Sequence, residues 1–201
     1  MSVYSQKDGW WADKAYRESN LQKSGCAVFT LSSALYRLGV TGEDMLPDQL
    51  AITYAQCLTS TGTNNERLLR EAGKVYNFKT QSELIESQKK IVSLLGEGCL
   101  FSFAIVRGHI ALADGASADG KYIHVADSAP SATLERIKGA SLYVLQEDGK
   151  MTAVESLTEI PGARWYLDTE DFGGLEYYLP LSYVARRGVR LIRPLTESAE
   201  N

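Results

Sequence analysis

Few residues in this chain have side chains suited to covalent chemistry, and the first is Cys26. It lies in the stretch Lys23-Ser24-Gly25-Cys26-Ala27-Val28-Phe29-Thr30-Leu31-Ser32-Ser33-Ala34. A small turn-forming pair, Ser24-Gly25, runs into the cysteine, and apolar residues at helical spacing follow it. That predicts Cys26 in the first turn of a helix, where unsatisfied backbone N–H groups and the positive end of the helix dipole favour thiolate over thiol. Gly25 has no Cβ, so a second group can approach the sulfur closely. Most free cysteines are instead small buried hydrophobes, and Cys26 taken alone fits that description too.

A thiolate nucleophile needs an imidazole to handle its proton, and the imidazole needs a third group to fix its tautomer and orientation. The chain has two histidines, His109 and His124. His109 follows Gly108 at the start of a predicted strand, so its side chain can project from a sheet end toward another layer. The return strand of that hairpin ends at Asp127. In an antiparallel pair the start of one strand lies opposite the end of the next, which predicts Asp127 beside His109, holding its Nδ1–H. Alternation sends His124 to the face opposite Asp127, so His124 reads as a structural or surface histidine. Asp114 belongs to His109's own strand and is badly placed to serve it. Structural readings exist for both members of the pair: a satisfied histidine at a strand end, and a turn cap ahead of Pro130. Cys57 and Cys99 read as core thiols, one in an amphipathic helix and the other at the entry to a buried strand.

The elements that must position these groups follow from periodicity. Residues 1–25 are polar and aromatic and read as an arm over the core. A helix is predicted over 26–38, with Ala27, Leu31, Ala34, Leu35 and Leu38 on one face and Gly39 as its stop. Further helices are predicted over 48–59, over 65–73 capped by Asn64, and over 83–95 capped by Ser82. The period then changes. Strands are predicted over 99–106, 109–114 and 121–127, with a turn at Ser117-Ala118-Asp119-Gly120 between the last two. A second hairpin spans 141–155, and shorter strands fall at 164–167, 175–179 and 189–193. Helices first and then an antiparallel sheet is an α+β arrangement. Trp165, Tyr166, Tyr177, Tyr178 and Tyr183 read mostly as sheet packing.

Composition narrows the partners. The 201 residues carry a net charge of −4 with no long basic run, which argues against nucleic acid and against anionic membrane surfaces. No apolar stretch approaches the ~20 residues that span a bilayer. The N-terminus lacks the apolar core of a signal peptide, so the expected location is the cytoplasm. Three widely spaced cysteines with no CxxC argue against a disulfide framework and a structural zinc site, and no cofactor or metal is expected.

Four blocks, in order, resemble the papain-like cysteine peptidases of the bacteriocin-processing, C39-like type. They are Tyr4-Ser5-Gln6-Lys7-Asp8 with Trp11-Ala12 and Tyr16; Ser24-Gly25-Cys26-Ala27 with Thr30; Gly108-His109 followed by an apolar strand and Gly115; and Tyr122-Ile123-His124-Val125-Ala126-Asp127. The similarity covers about residues 3–130, and 131–201 match nothing. The resemblance implies one papain-like domain over 1–195: a helical lobe (1–97) with the catalytic cysteine at a helix N-terminus, packed on an antiparallel sheet lobe (98–195). A flexible tail would follow at 196–201. It implies Cys26 as nucleophile, His109 as general base, Asp127 as the orienting carboxylate and Gln6 as an oxyanion donor beside the Cys26 N–H. Loss of one such donor costs ~2.7–4 kcal/mol of transition-state stabilisation. Gln22 is a rival for that role. Two departures from the family are Ala27, where many relatives carry glycine, and Ser128-Ala129-Pro130, where a tighter Asp-Pro is common.

The expected activity is hydrolysis of peptide or amide bonds through an acyl-enzyme, on a peptide, protein or peptidoglycan substrate. A phage-type peptidoglycan hydrolase, released or virion-associated, is one alternative. Acyl transfer by the same residues is a second, and a catalytically inactive binding or structural module is a third.

Overall fold

The structure is a computed structural model that describes residues 3–7, 10–161, 174–185 and 187–195. In chain order, β1 (Ala15–Tyr16) and β2 (Ser19–Asn20) form a small hairpin, and α1 (Leu21–Ser24) follows directly. α2 (Cys26–Arg37), α3 (Pro47–Thr53) and the hairpin of β3 (Leu58–Thr59) with β4 (Gly62–Thr63) come next. α4 (Asn65–Tyr76) starts where the Asn64 side chain accepts the Arg67 N–H, and ends at Asn77, whose φ of 56° is a left-handed stop. Then come β5 (Phe78–Leu84), α5 (Gln88–Gly96), β6 (Leu100–Val106), β7 (His109–Ala116) and β8 (Tyr122–Asp127). α6 (Pro130–Arg136), with proline in its first turn, precedes β9 (Leu142–Leu145) and β10 (Met151–Val154). β11 (Leu175–Pro180), α7 (Leu181–Val184) and β12 (Gly188–Pro194) complete the described chain.

Eight of these strands form one antiparallel sheet in the order β10-β9-β11-β8-β7-β6-β12-β5. Strand alternation sorts its side chains into two cores. Phe101, Phe103, Val125 and Leu191 pack with Ile91 and Leu94 of α5 on one face. Leu100, Leu112, Ala126 and Ile192 pack on the other with Leu31 and Leu35 of α2, Leu50 of α3 and Leu68 and Leu69 of α4. Neighbouring residues such as Leu191 and Ile192 therefore serve opposite layers.

This topology corrects the expected fold, a papain-like N-terminal helical lobe packed on a C-terminal antiparallel sheet. Residues 78–84, inside the half expected to be helical, are a seven-residue strand that closes one edge of the sheet. β5 pairs in full register with β12, from Phe78↔Pro194 to Gly188↔Leu84, so the sheet draws on both halves of the chain. Helices cover both of its faces and are not gathered into a lobe of their own. The helix expected over 83–95 is shorter for the same reason: Ser87, not Ser82, caps it by accepting the Lys90 N–H. The helix expected over 48–59 ends at Thr53, and Leu58–Thr59 turn into β3. The strand expected over 164–167, with Trp165 and Tyr166, and the tail at 196–201 lie outside the described residues. Among the described residues no helix is long and apolar enough to cross a membrane.

Candidate active site

Cys26 is the first residue of α2, and Gly25 is the hinge between α1 and α2. The Gly25 N–H donates to the Leu21 carbonyl at 2.9 Å. A Cβ at position 25 would stand 2.4 Å from that same oxygen, so only glycine fits the junction. Cys26 is partly exposed, whereas Cys57 and Cys99 are buried. Burial pushes the Cys57 and Cys99 thiols upward in pKa. Thr30, one turn into α2, donates to the carbonyls of Cys26 (2.9 Å) and of Ile110 (3.2 Å). That hydroxyl ties the start of the helix to β7, one residue beyond His109.

His109 opens β7 immediately after Gly108, whose φ of 79° makes the tight reversal from β6. The register Leu112↔Ala126 brings the end of β8 alongside the start of β7. His109 Nε2 lies 2.6 Å from Asp127 Oδ1, with both side chains buried. Asp127 is fully buried and fully satisfied. Its Oδ1 also accepts the Ala129 N–H at 2.8 Å, and its Oδ2 accepts the Thr133 and Tyr177 hydroxyls, each at 2.6 Å.

Electrostatics follow from this burial. Burial by itself lowers the pKa of His109, but the adjacent Asp127 carboxylate and the hydrogen bond to it more than reverse that, to about 10. The Cys26 side chain acts in the same direction, more weakly than Asp127. Burial by itself raises the pKa of Asp127; the imidazolium and the hydroxyls of Thr133 and Tyr177 overcome it and hold the carboxyl below its ordinary value. Both shifts favour the imidazolium–carboxylate form of the pair. One detail corrects the expectation: Nε2, not Nδ1, meets Asp127. Nδ1 is the ring nitrogen that Asp127 leaves free of its own hydrogen bond.

Gln6 is buried and joins three segments. Its backbone N–H donates to the Ser128 carbonyl at 3.0 Å, and its Oε1 accepts the Ser128 hydroxyl at 2.8 Å. Its Nε2 donates to the carbonyls of Leu21 (3.1 Å) and Gln22 (3.3 Å). Gln6 thus spans the residue after Asp127 and the turn before Cys26, with both amide hydrogens on main-chain acceptors. Serving an oxyanion would mean releasing one of them. The Gln22 side chain is exposed.

His124 belongs to a different cluster. Its Nδ1 lies 2.5 Å from Asp114 Oδ1, Asp114 Oδ2 is 2.5 Å from Arg37 Nε, and Arg37 also pairs with Glu176. Asp114, the rival carboxylate, thus serves His124 and the end of α2. Thr133, Tyr177 and Ser128 were not singled out by sequence reasoning for the site. Tyr177 carried only the sheet-packing signal of its strand, and Thr133 sits in α6, which periodicity did not reveal. A cavity of about 600 Å³ is lined by Arg17, Glu18, Ser19, Ser24, Leu58, Thr59 and Ser60, and by none of Cys26, His109, Asp127 or Gln6. No group of three or more His, Cys, Asp or Glu that could hold a metal occurs among the described residues. Comparison with protein families, curated proteins and solved structures finds no match to this chain.

Proposed function

We propose that this chain is a cysteine-dependent peptidase or amidase that works through an acyl-enzyme, with Cys26 as nucleophile and His109 and Asp127 completing the triad. The observation that carries the reading is the buried His109–Asp127 pair at 2.6 Å, in a molecule whose one partly exposed cysteine, Cys26, opens a helix tied to the His109 strand through Thr30. Buried charge of this kind is costly unless every lone pair is met, and here Asp127 accepts from His109, Ala129, Thr133 and Tyr177. The resemblance of four sequence blocks to C39-like peptidases adds support, since Cys26, His109 and Asp127 are the residues those blocks nominate.

In the reaction, the Cys26 thiolate attacks the substrate carbonyl carbon and the carbonyl π pair moves onto oxygen. The Cys26 N–H, a first-turn donor of α2, faces that oxyanion. Gln6 supplies a second donor on giving up its 3.3 Å bond to the Gln22 carbonyl. As the C–N bond breaks, the His109 imidazolium protonates the leaving amine, and a thioester remains on Cys26. Water then attacks the thioester carbonyl as the neutral imidazole takes its proton, and collapse of the tetrahedral intermediate breaks the C–S bond, releasing the acid and regenerating the Cys26 thiolate beside the His109 imidazolium.

The test is competitive alkylation with iodoacetamide at neutral pH, read by mass spectrometry, alongside turnover of peptide amides and peptidoglycan fragments. Cys26 should be modified much faster than Cys57 or Cys99, and His109→Ala should remove that preference together with any turnover. Equal labelling of all three thiols in the folded protein sinks the proposal.

A further inference from the structure

The edge of the sheet at β5 carries none of the candidate catalytic residues. β5 is the last strand of the sheet, and among the described residues no strand pairs with its outer side. It lies three strand positions from β7, about 14 Å at ordinary strand spacing. Gly73 of α4 lies against the Phe78 carbonyl, and beyond Phe78 the edge exposes main-chain donors and acceptors that another chain can take up.

The cations around that edge are arranged on both of its faces. A cavity of about 360 Å³ there is lined by Arg70, Lys74, Lys79 and Arg193, with Gly73 and Gln81 between them. Arg70 and Lys74 come from α4, which packs on the sheet face carrying Phe78. Lys79 and Arg193 are cross-strand partners and occupy the opposite face. No carboxylate lines the cavity. Glu71 pairs with Arg70 and Lys74, and Glu97 with Arg193, so two acids only partly offset four cations. Lys79 is exposed, and no ion-pair partner occurs for it among the described residues. This concentration of positive charge runs against the net −4 of the whole chain.

We propose that the outer edge of β5 docks an extended acidic peptide segment, which pairs its main chain with the strand and sets carboxylates against the cations on both faces. Side chains of an added strand alternate between faces. Acidic residues at successive positions therefore meet Arg70 and Lys74 on one side and Lys79 and Arg193 on the other. The same cations discourage pairing between two copies of this edge by like-charge repulsion, so the surface favours an acidic strand over a copy of itself. Polarity along the strand orients the ligand: Lys79 lies near one end of β5 and Glu83, paired with Lys90, near the other. The most acidic part of the segment belongs at the Phe78 end.

The experiment is fluorescence anisotropy on the full chain with a dye-labelled Glu-rich peptide of about eight residues, long enough to cover one strand. A Lys-for-Glu counterpart and two versions N-methylated on alternate amides serve as comparisons. The acidic peptide should bind and weaken with added salt, the lysine counterpart should not bind, and one of the two methylated versions should lose binding. Lys79→Glu with Arg193→Glu should weaken binding by about tenfold or more. If that variant fails to fold, the methylated peptides on the native chain still decide. Equal binding of both methylated versions, no preference for acid over lysine, or displacement by inorganic phosphate alone overturns strand addition.

Discussion

Asp127 accepts four hydrogen bonds in a site closed to solvent, from His109, Ala129, Thr133 and Tyr177. Each donor is individually replaceable, and the consequences differ. Tyr177→Phe leaves Oδ2 with Thr133 alone, and loss of a hydrogen bond to a charged group costs about 1.5–3 kcal/mol. Urea denaturation should register that loss, and Thr133→Ala should give a similar one. The double variant should lose more than the sum, because either hydroxyl partly covers for the other. Asp127→Asn changes the chemistry as well: the amide cannot accept at both oxygen positions and removes the charge that keeps His109 protonated. Its expected readout is loss of the fast alkylation of Cys26. At this scale the sequence was informative about residue types and hairpin placement. Nothing local indicated which ring nitrogen meets the carboxylate, since that depends on the rotamer. Nor did any local pattern announce Tyr177, fifty residues along the chain from its partner.

The elements depend on junctions that allow little substitution. α1 and α2 meet at Gly25, where an added Cβ falls 2.4 Å from the Leu21 oxygen and 3.0 Å from Leu21 Cδ2. The backbone there is ordinary right-handed, with φ of −85°, so the obstacle is space and not conformation. Gly25→Ala should force α1 and α2 apart, at about 1–3 kcal/mol by analogy with overpacked cores. Thermal unfolding measures that cost. Slower alkylation of Cys26 at unchanged His109 would trace the displacement to the nucleophile. The same scale explains what periodicity concealed. Phe78, Thr80, Ser82 and Leu84 alternate as a strand should, yet only Phe78 is buried. An edge strand buries too little to write a strong apolar pattern, and Ser82 then resembled a helix cap. The central strands β6, β7 and β8, buried and apolar, were readable near their true bounds. Pairing of β5 with β12 joins residues more than a hundred positions apart, and no local pattern carries such information.

For the whole molecule, the buried ion pair makes stability depend on pH in a definite sense. His109 has its pKa raised from 6.5 to about 10 in the fold, so its contribution is fully present below 6.5 and is lost as pH rises through about 10. Asp127 has its pKa lowered from 3.8, so its contribution is present above that value and lost as pH falls through the lowered one. Both contributions act together between these limits, and neutral pH lies inside the window. Tyrosines complicate the alkaline side. Burial raises the pKa of Tyr16, Tyr54 and Tyr177, so the fold resists their ionisation and loses stability above pH 10 whatever His109 does. Comparing the native chain with His109→Gln cancels that background, because both carry the same tyrosines. The urea midpoints of the two should differ by a constant amount from the acid side of neutrality up to about pH 6.5, and the gap should close steadily toward pH 10. A gap that stays level across that range would mean the imidazole is neutral in the fold. In that case Cys26 would have to surrender its proton to His109 during the reaction instead of meeting an imidazolium already formed.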